Sequence, residues 1–149
     1  DGVARSVVIE GNRISNARVV QITDPGYWPP NSGGNGITAE TDCVISGNII
    51  DGAQGIGVQI GTNDAVRDIC VTGNLVRASA IGIGVSNNVI AGTSGEVIVS
   101  GNIVRGATNG AIVPTSFNGT SMTRVGTADY GNQLSTTVGR ATFGHNRAA

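Results

Sequence analysis

The sequence predicts an all-β protein, a right-handed single-stranded parallel β-helix (solenoid) of roughly five rungs, on three observations. A phrase recurs four times: Val8-Ile9-Glu10-Gly11-Asn12-Arg13-Ile14, Val44-Ile45-Ser46-Gly47-Asn48-Ile49-Ile50, Cys70-Val71-Thr72-Gly73-Asn74-Leu75-Val76 and Ile98-Val99-Ser100-Gly101-Asn102-Ile103-Val104. Each copy is an apolar run, a polar residue, Gly-Asn and a second apolar pair, and the asparagines lie 36, 26 and 28 residues apart. Apolar residues alternate in runs of strand length, not helix length. The chain holds 24 Gly and only 3% aromatics, with Val, Ile, Thr, Ser and Asn abundant, a mixture suited to short strands joined by tight turns.

The third repeat shows how one rung is built. Ile69-Cys70-Val71-Thr72-Gly73 alternates as a short strand, and Asn74, tolerant of the left-handed conformation, is expected at the corner. Leu75-Val76 is a second strand, Arg77 to Ala80 a turn, Ile81-Gly82-Ile83-Gly84-Val85 a third strand, and Ser86 to Glu96 a loop back. Stacking such rungs aligns Asn12, Asn48, Asn74 and Asn102 in a structural ladder, each amide bonding to those above and below. Ile9, Ile45, Val71 and Val99 form one inward aliphatic column, and Ile14, Ile50, Val76 and Val104 a second. Cys43 aligns with Ile69 and Cys70 with Val44, one position apart and hence on opposite faces, so no disulfide is expected.

The third strands align as Gly36 to Glu40, Gly55 to Gln59, Gly82 to Ser86 and Gly110 to Pro114. That puts Ile37, Ile56, Ile83 and Ala111 inside. Thr38, Gly57, Gly84 and Ile112 then face out, as do Glu40, Gln59, Ser86 and Pro114. Two segments break the pattern. A loop from Asn16 to Asn35 contains Asp24-Pro25-Gly26-Tyr27-Trp28-Pro29-Pro30. The tail 115–149 is less regular and carries both Phe, Tyr130 and the lone His145; Phe143-Gly144-His145-Asn146 reads as a last degenerate rung. The expected organisation is one domain over 1–149, with rungs to about residue 114 and an irregular capping segment after it.

Charged residues are 13% with net charge −1, all basic residues are Arg, and no Arg run is interleaved with aromatics, so nothing points to nucleic acid. No apolar segment reaches membrane-spanning length and no signal peptide is evident. The sequence starts almost directly in a strand at Asp1, which reads as missing N-terminal rungs or a homo-oligomer. Val44, Cys70 and Ile98, with Ile49, Leu75 and Ile103, form an outward apolar stripe that the tail is expected to cover, or else another chain.

Candidate chemistry lies on the third-strand face. Gly57 and Gly84 suggest an open floor, Tyr27 and Trp28 can lean over it, and Thr38 and Gln59 supply polar groups, a combination suited to a sugar. A catalytic alternative gathers Glu40 with Asp24, Asp42 or Asp64, since glycoside hydrolysis needs paired carboxylates and a lyase needs acids to hold calcium plus a base. The simpler reading of those acids is solvated loop charge. No cofactor is expected, because the Gly-x-Gly pairs lack a strand-to-helix junction. No metal site is expected either, because His145 has no partner at ligand spacing.

Asp42 to Ile50, Arg67 to Asn74, Ala80 to Ser86 and Gly110 to Val113 resemble the C-terminal part of the twin-arginine-translocated, uncharacterised repeat proteins of alphaproteobacteria, within the broad pectate-lyase-like class of right-handed β-helices. The match runs in order through most of residues 36–114 and is weaker elsewhere. The resemblance implies export to the periplasm or beyond as a folded protein, and implies that the chain is the end of a longer helix; it carries over no catalytic residue. Carbohydrate or polysaccharide binding on the third-strand face is the expected function. The alternatives are a polysaccharide lyase, epimerase or glycosidase, and a structural module such as a spike or fibre segment.

Overall fold

A computed structural model describes residues 6–21, 31–62, 66–119 and 121–149. The first repeat contains β1 (Val7–Glu10), β2 (Arg13–Ser15), β3 (Val19–Gln21), β4 (Asn31–Gly33) and β5 (Ile37–Ala39). The second contains β6 (Thr41–Ser46), β7 (Ile49–Asp51) and β8 (Ile56–Ile60). Then come β9 (Arg67–Thr72), β10 (Leu75–Arg77), β11 (Ile81–Ser86) and a one-turn helix α1 (Asn87–Ile90). The fourth repeat contains β12 (Val97–Ser100), β13 (Ile103–Arg105), β14 (Ile112–Phe117) and β15 (Met122–Arg124), and the tail β16 (Ser135–Val138), β17 (Ala141–Gly144) and β18 (Arg147–Ala148).

Parallel strands form three sheets, and each repeat gives one strand to each. The first runs β1-β6-β9-β12-β17 with β16 at its edge, the second β2-β7-β10-β13-β18, and the third β5-β8-β11-β14 with β15 at its edge; β3 and β4 make a separate hairpin. Register follows the recurring phrase. Ile9, Ile45, Val71, Val99 and Phe143 are successive partners in the first sheet. Ile14, Ile50, Val76, Val104 and Ala148 are partners in the second. Both columns enter the main apolar core with Ile37, Val58, Ile83 and Ile112 of the third.

The corner between the first two sheets departs from expectation in one respect. Gly11, Gly47, Gly73 and Gly101 take the left-handed conformation, at φ of 66, 61, 64 and 64°, and the asparagines do not. Glycine relieves the steric cost there. Each Asn amide is thereby free to turn inward. Asn12 Nδ2 donates to Asn48 Oδ1 at 3.0 Å, Asn48 to Asn74 at 2.9 Å, Asn74 to Asn102 at 3.0 Å and Asn102 to Asn146 at 3.0 Å. The same oxygens accept the backbone N–H of the preceding Asn, each at 3.0 Å. Asn146 is a fifth member, and His145 stands in the glycine's place at φ 54°.

The third sheet has a different register from the one expected. Val58, not Ile56, pairs with Ile37 and Ile83, and Ile112, not Ala111, pairs with Ile83. The second repeat is therefore displaced by two residues and the fourth by one. Steric exclusion sets this register. A Cβ on Gly36 would lie 2.7 Å from Ile50 Cγ2, one on Gly57 2.3 Å from Val76 Cγ1, and one on Gly82 2.3 Å from Val104 Cγ1. In the first three repeats the third strand enters directly beneath Ile50, Val76 or Val104 of the second sheet, where only a residue without a side chain fits; in the fourth, Ala111 holds the corresponding place. Ile56 and Ile81 instead join Val113 and Met122 in a smaller apolar cluster.

The tail does not lie over the apolar stripe. It continues the sheets: β17 pairs in parallel with β12, and β18 with β13. β15 and β16 then turn back antiparallel on β14 and β17. Asp129 completes this end. Its Oδ2 accepts Ala111 N–H at 2.8 Å and its Oδ1 accepts Ile112 N–H at 3.1 Å. One repeat earlier, Gly82 and Ile83 give the corresponding bonds to the carbonyls of Gly110 and Ala111. Asn132 Oδ1 takes Ala148 N–H at 2.8 Å, and the Tyr130 ring stacks on Phe143 with centroids 4.3 Å apart. Val8, Val44, Ile98 and Ile103 consequently remain exposed.

Candidate functional site

The third-sheet face expected to be an open floor is filled by the protein itself. Gln59 is fully buried. Its Nε2 donates to Gly61 O at 2.6 Å and Ile60 O at 3.2 Å, and to Thr115 Oγ1 at 2.9 Å. Thr115 lies two strands away, so the Gln59 side chain crosses over Gly84 of the strand between. A Cβ there would sit 2.4 Å from Gln59 Oε1 and 2.8 Å from Thr115 Cγ2. Gly84 makes room for that crossing, and neither residue is presented to a ligand. Gly57, the other half of the expected floor, faces Val76. Of the expected contact residues, Thr38 alone is exposed in the described structure, with Asn35 Nδ2 3.4 Å from its hydroxyl. Tyr27 and Trp28 lie outside the described residues.

The candidate acids are engaged separately. Both Glu40 carboxylate oxygens accept Thr62 N–H, at 3.0 and 3.1 Å, and the Thr62 hydroxyl donates to Oε1. Glu40 thereby holds both the backbone and the side chain of Thr62, just beyond β8. Asp42, at φ 49°, accepts from Arg67 Nη2 at 2.8 Å across neighbouring repeats. That hydrogen bond, followed by the charge of Asp42, holds the Arg67 guanidinium still further above its ordinary range. Asp24 and Asp64 lie outside the described residues. Among the described residues, no three His, Cys, Asp or Glu are grouped so as to hold a metal ion. His145 is an exposed corner residue whose backbone N–H donates to Leu134 O at 3.1 Å. Cys43 points into the core, where burial pushes its thiol pKa up, while Cys70 one position along is half-buried; both are free thiols.

The outer face of the second sheet is open. One outward column reads Arg13, Ile49, Leu75, Ile103 and Arg147. The neighbouring column reads Ser15, Asp51, Arg77 and Arg105. Among the described residues, four of the chain's nine basic residues are thus on one face, with a single acid. Arg77 Nη2 binds that acid, Asp51 Oδ2, at 2.8 Å. Arg105 lies directly opposite Arg77 on its other side and has no acid of its own among the described residues; Arg147 is likewise without one. The sequence showed no basic face because these arginines are dispersed through it. Their common signal is a fixed offset from the Gly-Asn corner, one residue after Asn for Arg13 and Arg147, three for Arg77 and Arg105.

No family model matches the chain, and neither a curated protein nor a solved structure is similar to it.

Proposed function

We propose that the chain is a right-handed parallel β-helix of roughly five rungs, exported by the twin-arginine route, that binds a carbohydrate polymer on its outer surface. The β-helix reading is supported by the order of strands, since every repeat visits the same three sheets in the same sequence with parallel register. The binding reading rests on one observation above all, the open, in-register outer face of the second sheet, where partly exposed Ile49, Leu75 and Ile103 form a flat aliphatic column flanked by polar groups. Such a surface suits the alternating apolar and hydroxylated faces of a sugar chain lying along the helix axis. The third-sheet face, closed by Gln59 and Thr115, is set aside for this role. Screening the purified chain against a broad glycan array tests the proposal: retention of one or more polymeric glycans supports it, and no retention across neutral and acidic members contradicts it.

A second reading, an assembly module, draws on the exposed stripe of Val8, Val44 and Ile98 on the first sheet. It predicts self-association in light scattering that Ile98→Asp abolishes; a monomer at all concentrations contradicts it.

A further inference from the structure

We infer that the outer face of the second sheet is a binding strip for a polyanionic glycan, with Arg105 and Arg147 as its principal anion contacts and Ile49, Leu75 and Ile103 as its floor. This rests on the glycan-binding reading above and names the ligand class. Three observations carry it.

The first is charge. The face holds four arginines against Asp51, while the chain as a whole has net charge −1, so the asymmetry is local. The second is arrangement. Arg77 and Arg105 are direct cross-strand partners, and like charges placed so are mutually repulsive. Asp51 relieves Arg77 from one side only. Arg105 is left facing a like charge, and Arg147 follows one strand further on. A ligand anion between Arg105 and Arg147 relieves that repulsion with charge-assisted hydrogen bonds, bidentate where a carboxylate or sulfate meets the guanidinium fork.

The third is spacing. Strands repeat at about 4.8 Å and side chains on one face of a strand at about 6.6 Å, which puts the Cα atoms of Arg105 and Arg147 roughly 8 Å apart and those of Arg13 and Arg147 roughly 19 Å apart. The strip is long enough for several sugar units, with cations at both ends and an apolar track between. Nucleic acid fits it less well. The outward columns contain no aromatic ring on which a base could stack, and the aliphatic track leaves the cations too few for a continuous phosphate backbone.

Affinity electrophoresis and calorimetry on the chain at low and moderate salt test the assignment, with alginate as the polycarboxylate, dextran sulfate as the polysulfate and unmodified dextran as the neutral control. Arg105→Gln/Arg147→Gln is compared with Arg140→Gln, which removes an exposed arginine bonded elsewhere, to Gly92 O. Unchanged circular dichroism and melting temperature establish that each variant is folded. The expected result is binding to alginate, dextran sulfate or both, weakened by salt and reduced about tenfold or more in the double variant, with the Arg140 variant close to wild type. Preference between the two polymers identifies the anionic group. An equal loss in Arg140→Gln, an unaffected double variant, or equally tight binding of duplex DNA overturns the inference. Binding of neutral dextran alone overturns it too, but leaves the glycan reading standing; no binding of any glycan overturns both.

Discussion

Asn74 shows what one residue contributes. Its Oδ1 accepts two N–H groups of Asn48, and its Nδ2 donates to Asn102 Oδ1, Ile45 O and Thr72 O. Asn74→Ala leaves buried groups without partners on both sides, at about 1–3 kcal/mol each. A loss of about 3 kcal/mol or more in urea unfolding is expected, with Val76→Ala, which removes apolar volume alone, as the comparison. The reverse applies where an ordinary residue occupies a glycine's corner. His145 and Ala78 have φ of 54 and 50°, in positions where neighbouring repeats place glycine. His145→Gly and Ala78→Gly are each expected to raise stability by about 0.5–1 kcal/mol, measured by the same titration, because the left-handed conformation costs a residue with Cβ about 1–2 kcal/mol and glycine's extra unfolded-state entropy offsets part of the gain. The ladder of Asn12, Asn48, Asn74 and Asn102 was legible from sequence because Asn recurs at a fixed place in an apolar frame. The division of labour within Gly-Asn was not, since both residues tolerate the left-handed region and only the inward bonding distinguishes them.

At the scale of elements, the first two sheets could be read in register because the Gly-Asn corner anchors both. The third could not. Gly55-Ile56-Gly57-Val58 permits two alignments with the same alternation, and the choice depends on which glycine lies beneath Val76, a contact between elements that no local pattern reports. A slip of one residue, as at Ile112, reverses the face of every side chain in its strand, and it brings Thr115 in place of Pro114 opposite Ser86, where it meets Gln59 across Gly84 and closes the expected floor. The end of the stack was illegible for a related reason: Asp129 acts as a substitute for two backbone carbonyls, and its sequence context carries no periodic signal. Asp129→Ala strips the acceptor from Ala111 and Ile112 N–H and from Gly131 N–H, which lies 2.9 Å from Oδ1. The expected cost is about 2–4 kcal/mol. Hydrogen exchange should accelerate first at Ala111 and Ile112, whereas acceleration spread evenly over all three sheets would contradict a local capping role.

For the whole molecule, in-register pairing does two things at once. It stacks like on like in the interior, which builds the ladder and the aliphatic columns. On the outside it gathers residues that are far apart in sequence, so Arg13, Arg77, Arg105 and Arg147 come to one face and Val8, Val44 and Ile98 to another. Composition alone indicated a charge-poor chain, and it was the register that gathered four of its nine scattered arginines onto one face. Both the architecture and the proposed binding strip therefore depend on the same pairing. Native Cys70 gives a direct test of it, because its cross-strand partners are Val44 and Ile98, on the same outer face. Dibromobimane bridges only closely neighbouring thiols and becomes fluorescent when it does. In separate Ile98→Cys and Val99→Cys variants on the native background, an intrachain bimane bridge is expected from Cys70 to position 98 and none to position 99. A bridge at 99 in place of 98, or at neither, would contradict the register on which the fold and its surfaces rest.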